Sequence, residues 1–410
     1  MTTRLERELA AAFRDATEAL QPRPDLADAV RMSVRSRRQP LIVAAAAACA
    51  VILLAVGVSY AAAARHPSIA SRQHHLTPAP IASARRSSAP LRLSYPVRQL
   101  AVSGSYLYVL SSATGTLSAY DRRTSTLIRQ VTPPGGATAF AVGPASEVWL
   151  SFAAAPGLIG TWLLSPGLKL HSSAPGLAGE TIVPVSRTAA LVAAKHGLYR
   201  LIMPAPGSFG SASWRLQPGT ELGQPPSTVP AGAQVVGGQV VVRTTDGNGN
   251  DGQLVIAGQP NVRYGGAPQA VVHDFAGTGG SLWVVAGTAG NATVGTLVRL
   301  DGRLRPAGPV PSASKLLSQV SAVWSAGNTV WLALGPGAWA SGHSLACFAV
   351  GKQTGPVVSL PVSGQVTALA ATASTVYVGA ATSAGSSTTI ATYPVPARCR
   401  EPQPEAGGPH

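Results

Sequence analysis

The chain has 410 residues, of which 46% are hydrophobic and only 11% charged. So low a charge density excludes a largely disordered chain, and 44 Gly with 34 Pro suit short strands and tight turns better than long helices. The formal net charge of +15 divides as +2 over residues 1–40, +4 over 65–90 and +9 over 91–410; such an excess fits an anionic membrane face or polymer as partner, and more simply a soluble basic surface.

Residues 1–40 read as a cytoplasmic helical segment. Thr3 and Glu6 make a capping-box pattern, after which Leu5, Leu9, Ala12, Phe13, Ala16 and Leu20 recur at helical spacing along one stripe. Pro22 and Pro24 end this helix, and a second over 25–34 starts on acidic residues and runs into an arginine cluster. The apolar stripe needs a cover: the bilayer surface, a second copy, or a cytoplasmic protein partner.

Residues 41–64 form an apolar run of 24 without a charge, long enough as a helix to cross a hydrocarbon core of about 30 Å. Arg31, Arg35, Arg37 and Arg38 precede it while only Arg65 and Arg72 follow closely, so the positive-inside rule predicts a cytoplasmic N-terminus and an exported body. A cleaved signal peptide is the competing reading, but the run exceeds the usual apolar region of about 7–15 residues and the preceding segment is long. Residues 65–90, rich in Pro, Ser and Ala, read as a flexible linker. Its adjacent His74 and His75 cannot alone close a metal coordination sphere.

From residue 91 the chain repeats. Strand-like segments recur at Tyr106, Glu147, Ala189, Gln239, Ser281, Thr329 and Thr375, and equivalent points from Leu107 to Val376 are spaced 41, 42, 50, 42, 48 and 46 residues apart. Seven all-β units of that period predict a seven-bladed β-propeller over 91–397, each blade of four strands, followed by a disordered tail over 398–410. The last unit lacks a fourth strand before the Pro-rich end, whereas residues 91–95 lack a partner; the economical closure places this N-terminal strand in the last blade.

Segments such as SLWVVAG followed by GTLVRLDGR, and YLYVLSS followed by GTLSAYDRR, resemble the seven-bladed propeller group that includes the YVTN, quinoprotein-like and virginiamycin-lyase-like repeats. That resemblance covers about 300 residues and implies fold far more than activity. The first 64 residues resemble single-pass membrane proteins of high-GC bacteria, some of them paired with extracytoplasmic-function sigma factors. Residues 1–40 lack the Cys and His residues of a zinc-containing anti-sigma domain.

Catalytic signatures are sparse. Gly342-His343-Ser344-Leu345-Ala346 has the look of a nucleophile elbow but lies beside a hairpin, not at a strand-to-helix turn. Carboxylates of the repeat region are scattered over separate units, which gives no support to paired acid/base chemistry. Residues 246–252 alternate Asp, Asn and Gly, yet Asp251 stands where a calcium loop needs Gly and Ala257 where it needs Glu, so a hairpin turn is the reading. No spacing calls for a metal or cofactor. Trp149, Trp283, Trp331, Tyr108 and Tyr377 share one strand position and read as packing between blades.

His196, Asp246, Trp339 and His343 fall in loops predicted to emerge on one face, which makes them ligand-binding candidates. Cys347 and Cys399 both lie in the exported body, where a disulfide is permitted, while Cys49 is a residue of the apolar run. The expected function is a non-enzymatic, membrane-anchored extracytoplasmic propeller that recognises a protein, polymer or small molecule, with sensing as an extension. An exported body argues against nucleic acid as partner. The alternatives are a regulator that binds a sigma-factor-like partner through residues 1–40, and a lactonase-like or lyase-like propeller enzyme.

Overall fold

The structure, a computed structural model, describes residues 89–400 except 156–157, 176–180, 195–196, 206–210, 218–221, 223–227, 247–251, 267–269, 279, 289–293, 309, 311–316, 337, 339–341, 351–356 and 382–385. The expected cytoplasmic segment, apolar run and linker up to residue 88 lie outside the described residues, as do residues 401–410. Among the described residues no helix is long and apolar enough to cross a membrane.

After β1 (Leu91–Leu93), the chain folds into consecutive antiparallel meanders. Blade 1 holds β2 (Val97–Ser103), β3 (Tyr106–Ser111), β4 (Leu117–Asp121) and β5 (Leu127–Val131). Blade 2 holds β6 (Ala137–Val142), β7 (Val148–Ala155), β8 (Leu158–Leu164) and β9 (Leu170–Pro175). Blade 3 follows with β10 (Ile182–Pro184), β11 (Ala189–Ala194), β12 (Gly197–Ile202) and β13 (Ser213–Leu216). In blade 4 the strands are β14 (Thr228–Val236), β15 (Gln239–Asp246), β16 (Gln253–Ile256) and β17 (Gln259–Gly265). Gly237 and Gly238, at φ +57° and +80°, join the first two of these in a tight hairpin that only residues free of a Cβ clash adopt readily.

Blade 5 is the exception, with β18 (Val271–Thr278), β19 (Ser281–Gly287) and β20 (Thr296–Leu300) only. Where four strands were expected, the described residues contain a single bridge between Leu300 and Pro306. Pro306, Pro309 and Pro311 follow in close order, and each lacks the N–H that a ladder strand must donate. Blade 6 returns to four strands, β21 (Val320–Ala326), β22 (Thr329–Leu334), β23 (Leu345–Ala349) and β24 (Val358–Leu360).

Blade 7 contains β25 (Gln365–Ala371), β26 (Thr375–Ala381) and β27 (Thr388–Pro394), and its outer strand is β1, paired antiparallel to β27 from Leu91 opposite Ile390 to Leu93 opposite Thr388. The two ends of the propeller thereby share one sheet. Described chain continues past the expected boundary at residue 397 through a 3₁₀ turn (Ala397–Cys399) to Arg400. Cys399 is buried and bonded to Cys347 of β23, with Cα atoms 5.9 Å apart, and Arg400 Nε donates to Val395 O at 3.1 Å.

Each pair of neighbouring blades encloses one apolar cluster, and the aromatic position on the second strand fills most of them. Trp149 seals blades 2 and 3, Trp283 seals 5 and 6, Trp331 seals 6 and 7, and Tyr108 seals 1 and 2; all four are fully buried. Small residues on the innermost strand make room beside them: Ala101, Ala141 and Ala276 stand opposite Tyr108, Trp149 and Trp283. Burying rings of this size is the main stabilising term of these four joints.

Candidate functional site

The innermost strands β2, β6, β10, β14, β18, β21 and β25 surround a central channel with a cavity of about 660 Å³. Six of them carry a bulge at the same place near their start, between Val97 and Gln99, Ala137 and Ala139, Pro230 and Gly232, Val272 and Asp274, Val320 and Ala322, and Val366 and Ala368. An inserted residue re-aims side chains and frees ladder groups. In blades 2, 6 and 7 the inserted residue is a hydroxyl that bonds the freed carbonyl on the second strand: Thr138 to Ser151 O at 3.3 Å, Ser321 to Ala333 O at 3.3 Å and Thr367 to Gly379 O at 3.4 Å. Blades 1, 4 and 5 depart from this rule with Arg98, Ala231 and His273.

Side chains at the channel wall also tie blade to blade. The Gln99 amide donates to Phe140 O at 2.7 Å and accepts from Phe140 N at 3.3 Å, joining blades 1 and 2. Gln234 does the same between blades 4 and 5, donating to Phe275 O at 3.1 Å and accepting from Gly277 N at 2.8 Å. Asp274 bridges blades 5 and 6: one carboxylate oxygen accepts from Phe275 N and the other from Val323 N, both at 2.9 Å. Each amide or carboxylate replaces a strand partner that the inner edge of a blade lacks.

Arg243 of β15 reaches across to blade 5, where its guanidinium donates to Val272 O at 3.4 Å and to His273 O. Gly232 opposite it leaves space for the side chain. Enclosure in the channel wall pushes the Asp274 carboxyl up from its ordinary pKa, against the opposing pull of the two amides and Arg243. The His273 imidazole is pushed down, first by burial and then by the neighbouring Arg243 charge. Its Nε2 is buried without a partner and lies against Gly287, where any Cβ would overlap the ring.

Arg98 differs from these residues. It is exposed to the channel and makes no hydrogen bond or ion pair among the described residues. Around it the wall includes small apolar side chains together with Phe140, Phe275 and Trp324. The channel thus offers one unengaged guanidinium beside a lining that mixes polar and apolar side chains, while its one carboxylate among the described residues, Asp274, is spent on the fold. No group of three His, Cys, Asp or Glu among the described residues is placed to hold a metal.

Of the residues singled out from sequence, His196 and Trp339 lie outside the described residues. Asp246 ends β15 and His343 precedes β23, so both belong to connections between a second and a third strand and leave the ring on the same face. Neither lines the channel. His343 is anchored by its backbone, its N–H donating to Ala338 O at 3.1 Å, while Nδ1 is 3.4 Å from Ser359 Oγ. Of the expected hairpin turn over 246–252, residues 247–251 also lie outside the described residues.

Sequence reading missed Arg98, Asp274 and Arg243, although a signal was present. Val97 and Leu100, Ala137 and Phe140, Val272 and Phe275, Val320 and Val323, and Val366 and Leu369 are buried pairs three residues apart, and a regular strand would space them by two. The extra residue marks each bulge, and the pair between marks the channel wall.

No protein-family model and no curated protein sequence matches this chain. Its likeness is to solved structures of propellers. The WD40 domain of Neurospora crassa Pan2 superposes with a TM-score of 0.50 at 11% identity, over 75% of this chain and 92% of that one. Hydrazine synthase of Kuenenia stuttgartiensis superposes with a TM-score of 0.50 at 10% identity, over 74% and 97% respectively. At such identities the likeness defines the class of fold, a seven-bladed β-propeller, and no activity.

Proposed function

We propose that the protein is a membrane-anchored, extracytoplasmic recognition propeller whose central channel binds a small organic molecule carrying an anionic group. The apolar run at 41–64 and the arginines before it support the anchor and its orientation. Arg98 carries the ligand reading: it is the unengaged charge in a cavity of about 660 Å³, a volume within the range of small-molecule sites. A guanidinium offers several donors in a plane suited to a carboxylate or phosphate, and Phe140, Phe275 and Trp324 of the same wall offer apolar surface to the rest of such a ligand. Binding is the reading rather than catalysis because the channel carboxylate is committed to backbone amides. Residues 1–40 would then present their helical stripe to a cytoplasmic protein, and the single span would relay occupancy only through association with a second copy.

Two measurements test this. Protease added to intact cells is expected to remove the propeller; survival of the propeller overturns the anchored, exported reading. Thermal-shift screening of the full chain in detergent against small carboxylates and phosphate esters is expected to find a stabilising ligand whose effect Arg98→Ala weakens by about tenfold to a hundredfold, the worth of a charge-assisted hydrogen bond. A ligand bound equally well by Arg98→Ala would place recognition elsewhere.

A further inference from the structure

In a ring of antiparallel meanders, the turns joining first to second and third to fourth strands leave one face, and all other connections leave the opposite face. Among the described residues, the basic residues of the connecting turns divide along that line. Arg122 and Arg123 in the turn after β4, and Arg303 and Arg305 in the turn after β20, are exposed on the first face. Lys169 and Arg187 occupy corresponding turns of blades 2 and 3, and Arg398 and Arg400 stand at the end of blade 7 on the same side. Among the described residues, the connections of the opposite face contain no Lys or Arg; in the sequence, Lys195 and Lys315 fall in such connections but lie outside the described residues.

Two carboxylates on the basic face organise it without cancelling it. Asp121 accepts from the Arg123 and Thr124 amides at 2.8 Å, and Asp301 accepts from the Arg303 and Arg305 amides at 2.8 and 2.9 Å. Each folds its own turn so that the backbone is held and the arginine side chains project outward. Glu147, the third carboxylate on this side, is buried against its own turn, where it accepts from Ala145 N at 3.0 Å.

The direction of β1 supplies an independent observation. As fourth strand of blade 7 it runs antiparallel to β27, away from the basic face. Ala89 and Pro90 therefore approach from the basic side.

We infer that this face lies against the anionic headgroups of the bilayer in which the chain is anchored, and that the bulged end of the channel with Arg98 is directed away from the membrane. The inference rests on the anchored reading above. Basic residues close to an anionic leaflet are each attracted to it within a Debye length, and a tether attached at that face keeps them within reach.

The test uses the full chain in nanodiscs of phosphatidylcholine alone or with about one third phosphatidylglycerol, an anionic lipid of the kind that attracts polybasic surfaces. Backbone hydrogen exchange is followed in the turns over 121–126 and 301–305, with the turn over 111–116 on the opposite face as control. Exchange in the two basic turns is expected to slow several-fold in anionic discs only, and to recover in about 0.5 M salt, where the Debye length falls to about 4 Å. Charge reversal by R122E, R123E, R303E and R305E together is expected to abolish the slowing; the salt arm decides with the unaltered protein should that variant misfold. Equal exchange in both discs, slowing only on addition of a soluble polyanion, or protection of the control turn would overturn the inference while leaving the anchor intact. A chain recovered with neither kind of disc would overturn both.

Discussion

The joint between blades 6 and 7 and the joint between blades 3 and 4 solve the same packing problem to different degrees. The first encloses fourteen buried residues, with Trp331, Tyr393 and both bonded cysteines among them. The second encloses, among the described residues, Ala193, Leu198, Leu222 and Val242, with half-buried Ala233, Val240 and Ala257 beside them. At the aromatic position of the second strand, blade 3 has half-buried Leu191, so the ring that Tyr108, Trp149, Trp283 and Trp331 supply to their joints is absent here. Among the described residues, then, the joints are not evenly filled: the largest buried cluster lies at the joint that also holds the disulfide near the C-terminal end of the propeller.

The comparison breaks most sharply at Trp331. Trp331→Ala should cost about 3–5 kcal/mol in denaturant unfolding, the usual cost of deleting a fully buried indole, whereas Val242→Ala at the weak joint should cost about 1 kcal/mol because the missing methyls leave a smaller void. Equal losses would show that the joints are energetically alike. Removing the crosslink comes next. Cys347→Ser with Cys399→Ser opens a link spanning 52 residues, for which loop entropy assigns about 4 kcal/mol. The loss should appear as earlier exchange of β27 and β1 amides while blades 3 and 4 keep their rates; a uniform acceleration would contradict a local tie.

The smallest effect sharpens the comparison at a joint held by polar groups. His273 faces Arg243 from blade 4, and its pKa lies below the ordinary value of 6.5 in the fold. The unfolded chain therefore takes up the proton first as pH falls below about 6.5, and stability is lost until pH passes the folded pKa. His273→Asn should flatten that acid slope in urea midpoints measured between pH 7 and pH 5, and an unchanged slope would remove His273 from the account. Asp274 opposes this trend, because its raised pKa makes the ionised carboxylate the costly form as pH rises.

The repeat was legible because burial between blades selects large residues at one strand position, and Tyr108, Trp149, Trp283, Trp331 and Tyr377 recur there. The unpaired segment at 91–95 was legible as a strand in search of a sheet, and β1 stands in blade 7. Blade 5 was not, since only the structure shows that the described residues after β20 make a single bridge at Pro306 where a fourth strand was expected. The site was less legible still. Loop residues such as His343 and Asp246 attract notice for their chemistry, but Arg98, Arg243 and Asp274 matter because three separate blades bring them to one cavity.

Local patterning by itself determined the strands, their number of repeats and their aromatic seals, because side-chain alternation and burial are properties of a short segment. Only the tertiary structure decided which strand edges face the axis, which polar side chains substitute for missing strand partners, and which turns gather the arginines on one face. Those outcomes depend on ring closure, which juxtaposes groups from blades distant in sequence, and no local period encodes that juxtaposition.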